Sequence, residues 1–221
     1  MTAETITLRT EDNHELQAYV ARPEGTAKGG LIILQEIFGV TDHIKEVADG
    51  FAAEGYLAVA PAMFDRIKPG IVLDYSDFAT ARETMDALDL EQSVLDMKAA
   101  ADYARSAGKV GIVGFCWGGS MADLAACNGL VDVGISYYGR MTVEWLDKQP
   151  TCPMMYHYGE TDQLIPWQII EKIQRARKGK VYVWGSADHG FNCKDRPQYH
   201  KTAATGAMEA TLKFLNEHIA S

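Results

Sequence analysis

Three residues of this chain carry the chemistry of a covalent catalyst: Cys116, Asp162 and His189, in that order. A deprotonated thiol is a strong nucleophile, an imidazole can carry its proton, and a carboxylate can hold the imidazole in place. Cys116 lies in Gly114-Phe115-Cys116-Trp117-Gly118, between the apolar run KVGIVGF and the small-residue run WGGSMADLAACNG. This G-x-C-x-G stretch is the nucleophile-elbow pattern with sulfur in place of serine oxygen. So sharp a strand-to-helix turn crowds the backbone, and glycines at 114, 118 and 119 relieve it. The helix that starts there aims its N-terminal amides at the sulfur, favouring thiolate and any developing oxyanion. Taken alone, the motif fits equally well a tight turn holding an inert thiol, because free cysteine often packs as a small core residue.

The partners decide between these readings. MMYHYGETDQLIP ends a strand at Gly159 and places Asp162 on the following loop, and VYVWGSADHGF does the same for His189. All three residues thus follow strands, at the sheet edge where α/β ligand sites form. Nucleophile, acid and base in this order match the α/β-hydrolase arrangement. Asp188 is adjacent to His189, which makes a side-chain pair with that ring awkward, and it reads as a turn cap. His157 reads as a sheet-core histidine, and His14, His43, His200 and His218 as solvated. With no H-x-x-x-H and no Cys/His cluster, no metal site is expected. A second oxyanion donor belongs on the loop after GGLIILQ, where the Ile37 amide would join that of Trp117. Glu36 precedes it; spacing alone reads this carboxylate as a helix-entry or surface charge, with a gate over the thiol as the alternative.

The elements that must position these groups follow from patterning. TITLRT and ELQAYVAR read as an antiparallel hairpin, and GGLIILQ as a buried strand. Thr41 or Asp42 can cap the helix HIKEVADGFAAEG, and YLAVAP is a strand. Residues 63–77 are irregular and are expected over a cleft; helices follow near 77–88 and 90–107. KVGIVGF, VDVGISYYG, CPMMYHYG and KVYVWG are further strands, with helices near 143–148 and 166–178 and a last one from about Gln198 to Ile219. Strands alternating with helices predict an α/β fold whose mostly parallel central sheet is covered on both faces. At 221 residues, with 47% hydrophobic residues, a single domain over 1–221 is expected. Net charge is −9 with no basic run, which argues against nucleic acid and anionic membranes as partners. MTAETITLRTEDNHELQAY lacks a basic stretch followed by an apolar core, and no apolar run approaches the ~18 residues of a membrane span. Four cysteines without C-x-x-C spacing then read as free thiols in a reducing cytoplasm.

QEIFGV, GKVGIVGFCWGG, SYYG, GETDQLIP and DHGF together resemble the dienelactone hydrolase (carboxymethylenebutenolidase) family, over nearly the whole chain. The resemblance implies an α/β-hydrolase fold without a large cap domain, a monomer, no cofactor, and a Cys116–His189–Asp162 triad acting on a small lactone or ester. It reverses the spacing-based reading of Glu36, which becomes the glutamate that hydrogen-bonds the resting thiol and swings when substrate binds. It also implies Tyr137 and Phe38 as substrate contacts and Arg82 as one of two arginines that hold a substrate carboxylate. At the position of the second arginine this chain has Cys193, with Lys194 or Arg196 as nearby substitutes. Alternatives are a carboxylesterase or thioesterase on another activated acyl group, a non-catalytic small-ligand binder, and a redox-sensing thiol protein. For the last, Cys127 lies 11 residues beyond Cys116, about three helical turns away and out of disulfide reach.

Overall fold

The computed structural model describes residues 1–219, whose contacts gather into two compact units, Met1–Ile112 and Val113 onward. In the first unit, β1 (Thr2–Arg9) and β2 (Glu15–Arg22) form the expected antiparallel hairpin, in register from Thr2 opposite Arg22 to Arg9 opposite Glu15. Asn13, at φ 64°, makes the turn. β2 also pairs antiparallel with β4 (Leu57–Pro61), which runs parallel to β3 (Gly30–Leu34), giving the order β1-β2-β4-β3. All residues of β3 and β4 are buried, as their unbroken apolar runs require.

α1 (Asp42–Ala53) is capped by Thr41, whose hydroxyl accepts the Ile44 amide, and it buries Ile44, Val47, Ala48, Phe51 and Ala52. His43 is also buried, which corrects the expectation that it is solvated: the first turn of α1 points it inward with Ile44. α2 (Phe78–Asp86) and α3 (Leu90–Ala104) start at aspartate caps, Asp77 and Asp89. The irregular stretch before α2 holds a 3₁₀ turn, Met63–Arg66, and then returns to the loop after β3. There Val72 bridges Gly39, and the Leu73 amide donates to the Phe38 carbonyl at 2.9 Å.

β5 (Val110–Phe115) runs into the second unit, where β6 (Val133–Tyr137), β7 (Met154–Gly159) and β8 (Lys180–Trp184) follow in the order β5-β6-β7-β8. β6 and β7 pair parallel, as do β7 and β8. α4 (Trp117–Cys127) is buried over all but its last residue, which explains its run of small side chains. The helix expected near 143–148 is a 3₁₀ turn, Arg140–Trp145. α5 (Trp167–Ala176) buries Ile170 and Ile173, and α6 (Lys201–His218) begins where the His200 ring accepts the Ala203 amide.

A buried charge cluster ties this unit together away from its strand-end loops. Asp123 on α4 receives two hydrogen bonds at 2.8 Å from Arg177, one at 2.8 Å from Trp145 Nε1 and one at 2.5 Å from the Tyr156 hydroxyl. Arg177 spends a further N–H on the Lys148 carbonyl. Such saturation is what a buried ion pair needs.

Candidate active site

The second unit alone assembles the three residues singled out by their chemistry. Cys116 caps α4 with φ 56° and ψ −117°, a strained backbone for a residue with a side chain. A Cβ at Gly114 would strike the Gly118 carbonyl, and one at Gly119 the Tyr137 carbonyl, so the flanking glycines are demanded by close approach. The Cys116 amide donates to the Tyr137 carbonyl at 3.0 Å, fixing the turn to the end of β6. The thiol itself is half-buried.

Asp162 is buried on the loop after β7. One oxygen accepts the amides of Leu164 (2.8 Å) and Ile165 (3.1 Å); the other lies 2.8 Å from His189 Nδ1. Asp188 accepts the backbone amide of His189 at 2.6 Å, the turn-capping role its adjacency suggested. With Nδ1 donating to Asp162, His189 presents Nε2 to Cys116 Sγ at 3.1 Å. Burial works to lower the His189 pKa. Negative charge on the Cys116 sulfur and the bond to Asp162 outweigh it and push the pKa up to about 10. In this arrangement the imidazole can take the thiol proton as sulfur attacks a carbonyl and then give it to the leaving group.

Trp117 is the first residue of α4, so its amide lies where the helix dipole is positive. Glu36 and Ile37 are buried in the loop after β3. Phe38 is buried among its own unit's aromatics, edge-on to Tyr75 (4.8 Å) and Phe78 (5.9 Å). Arg82 is exposed on α2 and paired with Asp86 at 3.0 Å. Tyr137, expected as a substrate contact, is fully buried with its hydroxyl 2.8 Å from Thr211 of α6.

The aromatic wall of the triad is the next residue, Tyr138, whose ring centroid is 5.0 Å from that of His189 and 5.4 Å from that of Phe191. Its φ of 41° swings the ring out of strand alternation. The dipeptide Tyr-Tyr before Gly139 at a strand end was the available signal for this. Cys193 is fully buried, Lys194 is exposed, and the Arg196 guanidinium lies over Gly190, next to His189.

A strained elbow with base and acid on later strand-end loops defines an α/β hydrolase. The class narrows on comparison with known proteins: the chain belongs to the dienelactone hydrolase family, whose model matches residues 16–219. It is 34% identical to the carboxymethylenebutenolidase of Pseudomonas putida over 97% of both chains. Its fold matches that of a candidate dienelactone hydrolase from Klebsiella pneumoniae, with TM-score 0.88 and 27% identity over 99% of this chain and all of that one. A dienelactone hydrolase from Anabaena variabilis, 14% identical, shares the fold at TM-score 0.74 over 99% of this chain and 98% of that one. The chain is therefore a carboxylic ester hydrolase with an α/β-hydrolase fold. Among the described residues no helix is long and apolar enough to cross a membrane.

Proposed function

We propose that Cys116 is the nucleophile of a lactone hydrolase working through an acyl-thioester, on a diffusible substrate, as a cytoplasmic monomer. The observation that carries this reading is the single imidazole bridging thiol and carboxylate, with Nε2 3.1 Å from Sγ and Nδ1 2.8 Å from Asp162. Sγ attacks the ester carbonyl carbon, and the displaced electron pair settles on oxygen. The Trp117 amide, joined by that of Ile37, stabilises this oxyanion; such a donor typically contributes roughly 3 kcal/mol to the barrier. Collapse breaks the C–O bond, and His189 gives its proton to the leaving oxygen. His189 then takes a proton from water, which attacks the thioester carbon, and the thiolate departs as the acid is released.

Thiolate is itself a good leaving group, so the tetrahedral intermediate goes forward only when the ester oxygen leaves well. Enol lactones of the dienelactone type meet this demand, since ring opening releases an enolate. Glu36 acts as the gate over the resting thiol, a role that the resemblance of QEIFGV to the family implies and that fits the burial of this carboxylate. A second reading, an esterase for another activated acyl group, is favoured by one observation. By the family resemblance Cys193 stands where a carboxylate-binding arginine is expected, and it is fully buried, while Arg82 is already paired with Asp86.

Hydrolysis of a dienelactone and of p-nitrophenyl acetate by wild type and Cys116→Ala tests both. Wild-type opening of the dienelactone, lost by at least about 10³-fold in Cys116→Ala, supports the lactone reading. Cleavage of the simple ester alone moves the substrate to the second reading, and undiminished turnover in Cys116→Ala removes the nucleophile.

A further inference from the structure

A cavity of about 310 Å³ opens in the second unit, at the end of the sheet remote from the triad. Met154 and Lys180, the first residues of β7 and β8, line it, whereas Asp162 and His189 lie on the loops after those strands. At ~3.3 Å per residue the length of β7 alone separates the two ends by roughly 17 Å. The cavity is therefore no part of the catalytic cleft. Its volume is near the lower bound of small-molecule pockets, roughly 300 Å³.

The walls are fixed by the fold. A Cβ on Gly179 would strike the Met154 carbonyl and the Tyr156 ring, so the loop into β8 lies directly on the start of β7. The Tyr156 ring is held through its hydroxyl, which donates to Asp123 at 2.5 Å. The segment before β7 supplies Pro150, Cys152 and Pro153, and Thr151 ties it to α4: its amide and its hydroxyl both donate to the Ala126 carbonyl at 3.0 Å.

The lining has an apolar part and a cationic part. Met154, Tyr156, Phe214 and the prolines form the first, and Cys152 adds a thiol that stays protonated, since burial pushes its pKa up to about 12. Lys178 and Lys180, on either side of Gly179, form the second. Lys178 makes no hydrogen bond or ion pair among the described residues. Lys180 Nζ stands 5.2 Å from the Phe214 ring centroid and 3.7 Å from a Glu217 oxygen, too far for a hydrogen bond. In a chain of net charge −9, two lysines and, among the described residues, no carboxylate line this cavity.

We propose that this cavity is a second ligand site, separate from the ester-hydrolysing centre, for a small anion carried on a flat apolar body. The body packs against Phe214, Met154 and Tyr156, and the negative group pairs with Lys178 and Lys180. Nζ of Lys180 has only its loose contact with Glu217 to give up. Pairs of exposed charges contribute little, so the apolar body supplies most of the affinity and the lysines supply the preference for an anion.

Benzoate and benzamide share a ring and a shape and differ in charge. Each is titrated into isotope-labelled wild type and into Lys178→Gln combined with Lys180→Gln, and amide chemical shifts are followed by NMR. Gly179, Cys152 and Phe214 report the cavity; Leu164 and His189 report the catalytic loops. Benzoate is expected to move the cavity amides of wild type saturably, with Kd on the order of 1 mM. Benzamide binds there about 3- to 10-fold more weakly. In the lysine variant benzoate falls to the affinity of benzamide, which itself is unchanged. Equal affinities of the two ligands in wild type overturn the proposal, as does a benzoate preference that survives loss of both lysines. Shifts confined to Leu164 and His189, or no saturable shift at Gly179 and Cys152, overturn it as well. None of these outcomes bears on the thiol's role in hydrolysis, which Cys116→Ala decides by turnover.

Discussion

The second unit holds two buried polar clusters built from nearly the same parts. One joins Asp162, His189 and Cys116; the other joins Asp123, Arg177, Trp145 and Tyr156, with Cys127 at its edge. Each has an aspartate, a cation and a cysteine. In the second cluster the carboxylate accepts from donors that keep their protons, and the thiol stands 3.9 Å from the carboxylate with no imidazole between them. Burial and then the Asp123 charge push the Cys127 pKa up to about 12, so that thiol is inert. In the first, an imidazole stands between acid and sulfur and can hold a proton on either side. Composition does not separate a reactive site from a structural one; the identity of the group in the middle does.

Replacing Asp162 tests the comparison most severely. In Asp162→Asn the amide fits the same space, but it no longer favours the Nδ1–H tautomer or the imidazolium. Turnover is expected to fall by about 10²- to 10⁴-fold, with unfolding by urea little changed. A loss below tenfold would make Asp162 a loop-capping acid through its bonds to Leu164 and Ile165, a structural part like Asp123.

The converse test removes the cation from the silent cluster. Arg177→Met leaves the Asp123 charge buried, and breaking such a pair costs about 3–5 kcal/mol, read as a lowered urea midpoint. Asp123→Leu combined with Arg177→Met recovers most of that loss, because no charge is then stranded. The turnover of the molecules that remain folded stays within a few-fold of wild type. A large fall in kcat at undiminished stability would show instead that this cluster tunes the elbow through α4.

The contrast follows how far apart in sequence the parts lie and what each segment must do locally. The triad was legible because each member sits in its own strand–loop signal: G-x-C-x-G, GETD and DHG. The hairpin, the buried strands and the helix cap at Thr41 were legible for the same local reasons. The Asp123–Arg177 pair spans 54 residues, and nothing in a helix of small residues announces that its aspartate is buried beneath an arginine. Tyr138 was hidden by a positive φ at the strand end, where alternation no longer tells which way a side chain points. The inward turn of His43 was hidden because one polar residue at a helix start is ordinarily solvated.

Histidine carries the same comparison to its smallest measurable effect. His157 is even more buried than His189 but faces no carboxylate among the described residues: Trp184 donates to its Nδ1, and its Nε2 lies 3.2 Å from Thr211 Oγ1, amid Tyr137, Tyr182 and Trp184. Burial pushes its pKa down to about 3, where His189 is pushed up. The unfolded chain takes up this proton below about pH 6.5, while the folded chain refuses it until about pH 3. The unfolded state therefore binds more protons in that window, and stability falls on acidification by about 1.4 kcal/mol per pH unit. Between pH 7 and pH 5 the His157 contribution is a loss of about 2 kcal/mol, given by the difference between wild type and His157→Gln in urea unfolding. His157→Gln starts less stable, because its amide fits the ring's cavity poorly, but it loses less on acidification. If the two proteins instead lose stability in parallel, His157 accepts its proton within the fold, and an adjacent carboxylate is then not what separates the two histidines.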